Sequence, residues 1–181
     1  MASIQTLTEE ERRVVARWAV TFAERVLPMF DAEPMAQEQI RDAVVRTRAF
    51  SAGSSTAAEE IRKRLVAVKA AKAATTPQGA AAARSVAQAA SVAHMGAHAL
   101  GAAAYAVKAM SLANPARPEA VADEIAWQLA ALTDEEQSIL RQLPPVGSDS
   151  SGPLGPGLMS RGILGDVIRE QEGAAAFDLI E

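Results

Sequence analysis

Residues 92–108 read VAHMGAHALGAAAYAVK, and this stretch contains both histidines of the protein, His94 and His98. On a helix, residues four positions apart lie on one face, with Cβ atoms about 6 Å apart. Most of the surrounding residues are alanine or glycine, so neighbouring helices can approach this segment closely. The pattern predicts a tight helical core that contains a few polar side chains, with Tyr105 continuing the face of the two histidines.

Alanine dominates the composition, whereas aromatic residues make up only 4% of the chain. Alanine is the strongest helix former, and runs of β-branched residues with a period of two are missing. We therefore expect an all-α fold, a single Ala-rich bundle of about six helices. A C-terminal extension rich in glycine and proline follows it.

Three Thr-x-x-Glu patterns, beginning at Thr8, Thr56 and Thr133, are typical of capping boxes and predict helix N-termini. Thr76 and Pro77 together resemble an N-cap followed by the first residue of a helix. The helix that they start runs to about residue 112, on the order of 50 Å at 1.5 Å per residue, and Gly96 or Gly101 would be the place for a bend.

The composition changes after the predicted sixth helix. We expect an all-helical domain over residues 7–143 and a flexible linker over residues 144–162, which are rich in Gly, Pro and Ser. Residues 163–181 form a C-terminal tail that can make one short helix, and it is either disordered or a docking peptide.

The charge balance argues against nucleic acid as a partner, because 18 basic and 22 acidic residues give a net charge of −4. The basic run Arg62-Lys63-Arg64, with Lys69 and Lys72 beyond it, is interpreted as a solvated helix face. Polar residues interrupt the long alanine-rich stretch, so we expect no membrane association. A cytoplasmic location is the default, and the absence of cysteine excludes disulfides and thiolate chemistry.

The spacing of His94 and His98 also fits half of a metal site. The zincin pattern needs a glutamate directly after the first histidine, and Met95 occupies that position. Nearby serines lie outside any Gly-x-Ser-x-Gly elbow. The sequence therefore assigns no catalytic residue, no metal ligand and no cofactor, and the histidines are also compatible with a hydrogen-bonded helix interface.

Several other polar residues lie on apolar helices. Arg48 and Arg84 need carboxylate partners if they are buried, and Glu24 and Glu124 are the natural candidates. Two interpretations stay open: structural ion pairs, or a shared polar pocket. The predicted binding cluster comprises Arg48, Arg84, His94, His98, Tyr105, Glu124, Trp127 and Gln128.

Four segments, taken together in their order and spacing, carry a resemblance to a known family. They are WAVTFAERVLPMF at 18–30, RAFSAG at 48–53, AHMGAHALGAAAYAVKA at 93–109 and EIAWQ at 124–128. Over about residues 7–143 the chain resembles the bacterial "putative immunity protein" family, the immunity-five-like domain. Phe50 stands where a tryptophan is common in that family.

The resemblance implies an all-helical, cytoplasmic bacterial protein that binds a cognate toxin and neutralises it. An acidic face would meet a basic toxin by electrostatic complementarity; the candidate residues for it are Glu9, Glu10, Asp31, Glu33 and Glu38. Two alternatives stay open: a small-molecule-binding protein or enzyme with a pocket around His94 and His98, and a helical scaffold or dimerisation module that forms a homo-oligomer. Of these classes an enzyme is less favoured than a binding protein.

Overall fold

The computed structural model describes residues 3–145, 147–159 and 162–177, and the regular structure over these ranges is helical, with no β-strand. The predicted all-α class is confirmed. The α-helices are α1 (Glu9–Val26), α2 (Pro34–Ser51), α3 (Ala57–Ala70), α4 (Pro77–Ser91), α5 (His98–Ala113), α6 (Ala120–Ala130), α7 (Asp134–Leu140), α8 (Pro156–Met159) and α9 (Ile163–Phe177). Short 3-10 helices cover Ile4–Thr6, Leu27–Met29 and Ala71–Ala73.

The predicted capping boxes form at the start of α1, α3 and α7. In each box the threonine hydroxyl accepts a hydrogen bond from the glutamate N–H three residues later, and that glutamate carboxylate accepts one from the threonine N–H. Each box gives hydrogen-bond acceptors to two backbone N–H groups, which would otherwise lack partners at a helix N-terminus. These three boundaries therefore follow from local sequence.

The prediction of one long helix from Pro77 to residue 112 is wrong, because the chain reverses through residues 92–97 and forms the hairpin of α4 and α5. Across the hairpin the Ser85 hydroxyl donates to the Ala102 carbonyl at 2.8 Å. Within the turn, the Gly96 N–H donates to the Thr6 carbonyl and the Ala97 N–H to the Gln5 carbonyl. The N-terminal segment thus supplies acceptors for backbone donors that a straight helix would have satisfied internally. The predicted count of six helices is therefore too low.

The hairpin of α4 and α5 lies at the centre of the bundle, and α1, α2 and α3 pack on α4 while α6 and α9 pack on α5. The four largest fully buried side chains, Trp18, Phe22, Ile40 and Phe50, come from α1 and α2. The rings of Trp18 and Phe22 meet edge to face, with centroids 4.8 Å apart, an arrangement that aromatic pairs prefer. Small residues at the centre let the surrounding helices approach closely.

Residues 147–155, within the segment predicted as a linker, contact the N-terminus. The Gln5 side chain donates to the Ser151 carbonyl at 2.9 Å and accepts from the Leu154 N–H at 3.1 Å. On α9, the apolar residues Leu164, Val167 and Ile168 are buried.

The division into domain, linker and tail stays a prediction, and residues 178–181 of the predicted tail lie outside the described residues. None of the helices in the described ranges has the length and apolar character that a membrane-spanning helix needs.

Candidate functional site

The two histidines do not share a helix face. His94 lies in the turn between α4 and α5 and is exposed, whereas His98 is the first residue of α5 and is partly buried. Their rings are nevertheless neighbours, with centroids 6.3 Å apart. The Nδ1 atom of His98 is 2.7 Å from Oε1 of Gln88, so the amide oxygen of Gln88 accepts a hydrogen bond from the ring when that nitrogen is protonated.

The surroundings of both rings disfavour positive charge. The pKa of His98 is lowered to about 4, first by burial and then by His94 and Arg64. The pKa of His94 is also lowered, first by partial burial and then by Arg64 and Arg12. Both imidazoles are therefore neutral at pH 7. The charges that act on them are cations, which oppose the binding of a metal ion.

Arg48 forms an ion pair with Glu24, one of the two carboxylates that the sequence offered as partners for Arg48 and Arg84. Its Nε atom lies 2.8 Å from Oε1 of Glu24, and a second guanidinium nitrogen contacts Oε2. Because Arg48 lies on α2 and Glu24 on α1, this bidentate pair joins the two helices. Arg84 is exposed on α4, and no described residue forms an ion pair with it.

Glu124 pairs with Arg25 instead of Arg84. Oε2 of Glu124 lies 3.1 Å from Nε of Arg25, and the Arg25 guanidinium lies 4.3 Å from the centroid of the Trp127 ring. Gln128, one turn from Glu124 as predicted, donates to its Oε1 at 3.3 Å. Burial raises the pKa of Glu124, and the contacts with Arg25 partly oppose that rise.

The predicted cluster is thus divided between two ends of the bundle. His94 lies near Arg12, which is close to the start of α1, whereas Glu124 pairs with Arg25 near its end. These positions on α1 are separated by roughly 20 Å at 1.5 Å per residue. Arg48 and Glu124 therefore do not join the histidines in one pocket, and Tyr105 is buried within α5. Whether either group binds a ligand stays a prediction.

The acidic face expected from the sequence is likewise divided. Glu9 and Glu10 lie in the first turn of α1, whereas Asp31, Glu33 and Glu38 lie beyond its C-terminal end or early in α2. The length of α1, about 27 Å, separates the two sets. Glu9 and Glu10 also form ion pairs with Arg13. These five residues do not form a continuous surface.

Sequence reasoning missed an unusual feature of α3: three of its larger apolar side chains are exposed, although Ile61 packs against the core. Exposure reaches 53% at Leu65, 37% at Val66 and 41% at Val68, whereas Ala67 and Ala70 are buried. Burial of leucine or valine stabilises a fold more than burial of alanine, so this orientation leaves apolar area available on the surface.

Cations surround these apolar residues. Arg62, Leu65, Val66 and Lys69 follow the i, i+3, i+4, i+7 spacing of one helix stripe. We call the following exposed residues the outer face of α3: Arg62, Lys63, Leu65, Val66, Val68 and Lys69. Lys72 is also exposed and follows directly in the 3-10 helix. In the described part of the chain, none of the cations on this face forms an ion pair.

The distribution of charge along the sequence could have revealed this face. Between Glu60 and Glu119 lie eight lysines and arginines and no acidic residue, whereas the remainder of the chain carries the other ten basic and all 22 acidic residues. The protein has a net charge of −4, but the segment between Glu60 and Glu119 is strongly basic. The structure exposes part of that segment on α3.

Within the described residues, no three or more His, Cys, Asp or Glu side chains are arranged to hold a metal ion. No curated protein and no solved structure shows significant similarity to the chain. The family described as "Imm-5 like putative immunity protein" matches residues 5–135. This match includes the first six helices, both histidines and the outer face of α3. The chain belongs to the Imm-5 like immunity protein family.

Proposed function

We propose that this protein is a cytoplasmic bacterial immunity protein that binds a cognate toxin domain and blocks its activity. The family match over residues 5–135 carries the proposal. Neutralisation by binding needs a surface that can be desolvated against a partner, rather than a catalytic group of its own.

The outer face of α3 is our candidate for that surface. Protein interfaces combine an apolar centre with a polar rim, and here Leu65 and Val66 lie in one stripe between Arg62 and Lys69. Exposed lysine and arginine side chains that lack intramolecular ion pairs are free to meet carboxylates. We therefore infer that the partner surface is acidic, which reverses the charge expected from the sequence.

The apolar content of the face favours a protein over a nucleic acid. A nucleic-acid site typically adds aromatic side chains for base stacking to its cations, and the outer face of α3 contains none. Leucine and valine at the centre of a basic stripe gain little from phosphate groups, whereas they fit an apolar depression on a protein. Electrostatic attraction would mainly accelerate association.

The experiment uses the toxin domain that is encoded next to this gene in the source genome. It is expressed from an inducible promoter in a bacterial host. Co-expression of the full chain should restore growth, and purified toxin should bind it in a calorimetric titration. If no neighbouring toxin is bound or neutralised by the wild-type chain, the proposed function is wrong.

Variants then test the surface separately. Leu65→Asp and Lys69→Glu should each weaken toxin binding at least tenfold, and the effect of Lys69→Glu should shrink at high ionic strength. Matched controls are Val45→Asp and Arg41→Glu on α2, where both residues are exposed. Rescue and affinity that survive the α3 variants would place the interface elsewhere while leaving the immunity function intact. Binding of a DNA or RNA oligonucleotide, lost in Lys69→Glu, would instead identify a nucleic-acid surface.

A further inference from the structure

A cavity of about 270 Å³ opens between α9 and the body of the bundle. Most of its lining is apolar and comes from α1, α5, the end of α6 and the region around α7. These apolar residues include Trp18, Leu100, Leu129, Leu132, Leu140 and Leu143.

One polar side chain in this lining is left with an unused acceptor. Gln171 of α9 is 2% exposed, and its Nε2 donates to Oε1 of Gln128 at 2.5 Å. The orientation of both amides follows from their partners, because Nε2 of Gln128 donates to the Ala103 carbonyl and to Glu124. Oε1 of Gln171 is therefore the acceptor, and within the described part of the chain it has no hydrogen-bond partner.

A buried acceptor without a partner costs free energy, and a donor supplied by a ligand would remove that cost. Arg141 and Glu172 also line the cavity and contribute opposite charges, so the site favours a neutral molecule. An apolar cavity of 150 Å³ in another protein accommodates benzene, so this larger one has room for a two-ring molecule.

We propose that this cavity is a binding site for a small neutral aromatic molecule that carries one hydrogen-bond donor, with the chemistry of an indole or an alkylphenol. The rings pack against the leucines and Trp18, and the donor reaches Oε1 of Gln171. This ligand would extend the hydrogen-bonded chain that runs from Gln171 through Gln128 to Glu124.

The site depends on residues beyond the family match, which ends at residue 135. Leu140, Leu143 and Gln171 all follow that position. The proposal therefore concerns a property that this chain adds to the matched region, and it does not rest on the proposed toxin binding.

The test compares two probes that differ in the donor: indole, which has an N–H, and indene, in which a CH₂ group replaces it. Calorimetric titration of the full chain, with leucine methyl resonances followed by NMR, reports binding and its place. We expect indole to bind about fivefold more tightly than indene, as one net hydrogen bond implies. Methyl groups of Leu100, Leu129 and Leu132 should shift.

In Gln171→Leu the preference for indole should disappear, whereas the control Gln39→Leu on α2 should keep it. Leu132→Trp should fill the cavity and abolish binding of both probes. The proposal is overturned if indole does not bind, if the two probes bind equally to the wild-type protein, or if Gln171→Leu retains the preference. The comparison of indole with indene on the wild-type protein needs no variant, so it tests the proposal even if a variant fails to fold.

Discussion

Arg25 and Glu124 form an ion pair of which only one partner is buried. The Glu124 side chain has no solvent exposure, whereas 40% of the Arg25 side chain is exposed, and 3.1 Å separates the two charged groups. Arg25 also covers Trp127. Burial raises the pKa of Glu124, and the surface arginine opposes that rise by stabilising the charged carboxylate.

Replacement of this arginine should expose the cost of the buried carboxylate. We expect Arg25→Ala to lower the free energy of unfolding by about 2 kcal/mol at pH 7, less than for a fully buried pair because Arg25 is partly hydrated. The difference from wild type should shrink as the pH falls, since a protonated Glu124 no longer needs the cation. Urea unfolding at several pH values measures both effects. Arg62→Ala is the control and should change stability by less than about 0.5 kcal/mol.

His98 should make stability depend on pH below neutrality. Its pKa falls from 6.5 to about 4 on folding, so between these values the unfolded chain binds more protons than the native protein. Stability due to His98 is therefore present above pH 6.5 and lost as the pH falls towards 4, by about 3 kcal/mol.

The variant His98→Asn should lack this pH-dependent part of the free energy of unfolding. Subtracting the variant's free energy of unfolding from that of the wild type at each pH therefore isolates the contribution of His98. The protein has only two histidines, so an NMR titration can follow each ring. An His98 resonance that titrates near pH 6.5 would contradict the prediction.

A side chain at Gly96 should destabilise the protein. A Cβ at this position would collide with the side chain of Leu7, so Gly96→Ala should destabilise the protein by about 2 kcal/mol. Leu7→Ala makes room, and the double variant should show a favourable coupling of about 1 kcal/mol in a double-mutant cycle. For comparison, Gly173→Ala on α9 meets no neighbour among the residues that the structure describes and should be neutral or slightly stabilising. Additive effects of Leu7→Ala and Gly96→Ala would show that the contact is absent.

The packing of α9 on the bundle can be measured at Ile168, which is fully buried. Ile168→Ala should cost about 3 kcal/mol, because it removes buried methyl groups and leaves a cavity. Glu170→Ala, on the exposed side of the same helix, is the matched control and should change stability little. Equal, small effects of both substitutions would indicate that residues 163–177 behave as a separate tail, as the sequence-based division into domain, linker and tail implies.

Local patterns predicted the helix starts at Thr8, Thr56 and Thr133 because each capping box satisfies its groups within four residues. The same reasoning failed at residues 92–97. Alanine and glycine there carry no strong local signal, and the chain reverses because the N-terminal segment accepts hydrogen bonds from the turn. Contacts between residues 5–7 and residues 95–97 cannot be predicted from a short stretch of sequence, because the two segments are about 90 residues apart.

In the candidate site, too, some features could be predicted from the sequence and others depend on helix packing. The sequence indicated that Arg48 needs a carboxylate and offered Glu24 as one of two candidates, and the spacing of Glu124 and Gln128 follows from helix periodicity. The partner of Glu124 was not predictable, since Arg25 and Arg84 offer the same chemistry and only helix packing selects one of them.

The sequence alone determined that this protein is helical, where several of its helices begin, and to which family it is similar, because helix propensity, capping and motif spacing are short-range properties. Tertiary structure decided where the chain reverses, which arginine neutralises Glu124, and that Leu65, Val66 and Val68 of α3 lie outside while Ala67 and Ala70 lie inside. Those outcomes depend on how closely whole helices pack. When most core residues are alanine, many packing arrangements bury similar apolar area, and long-range contacts select among them.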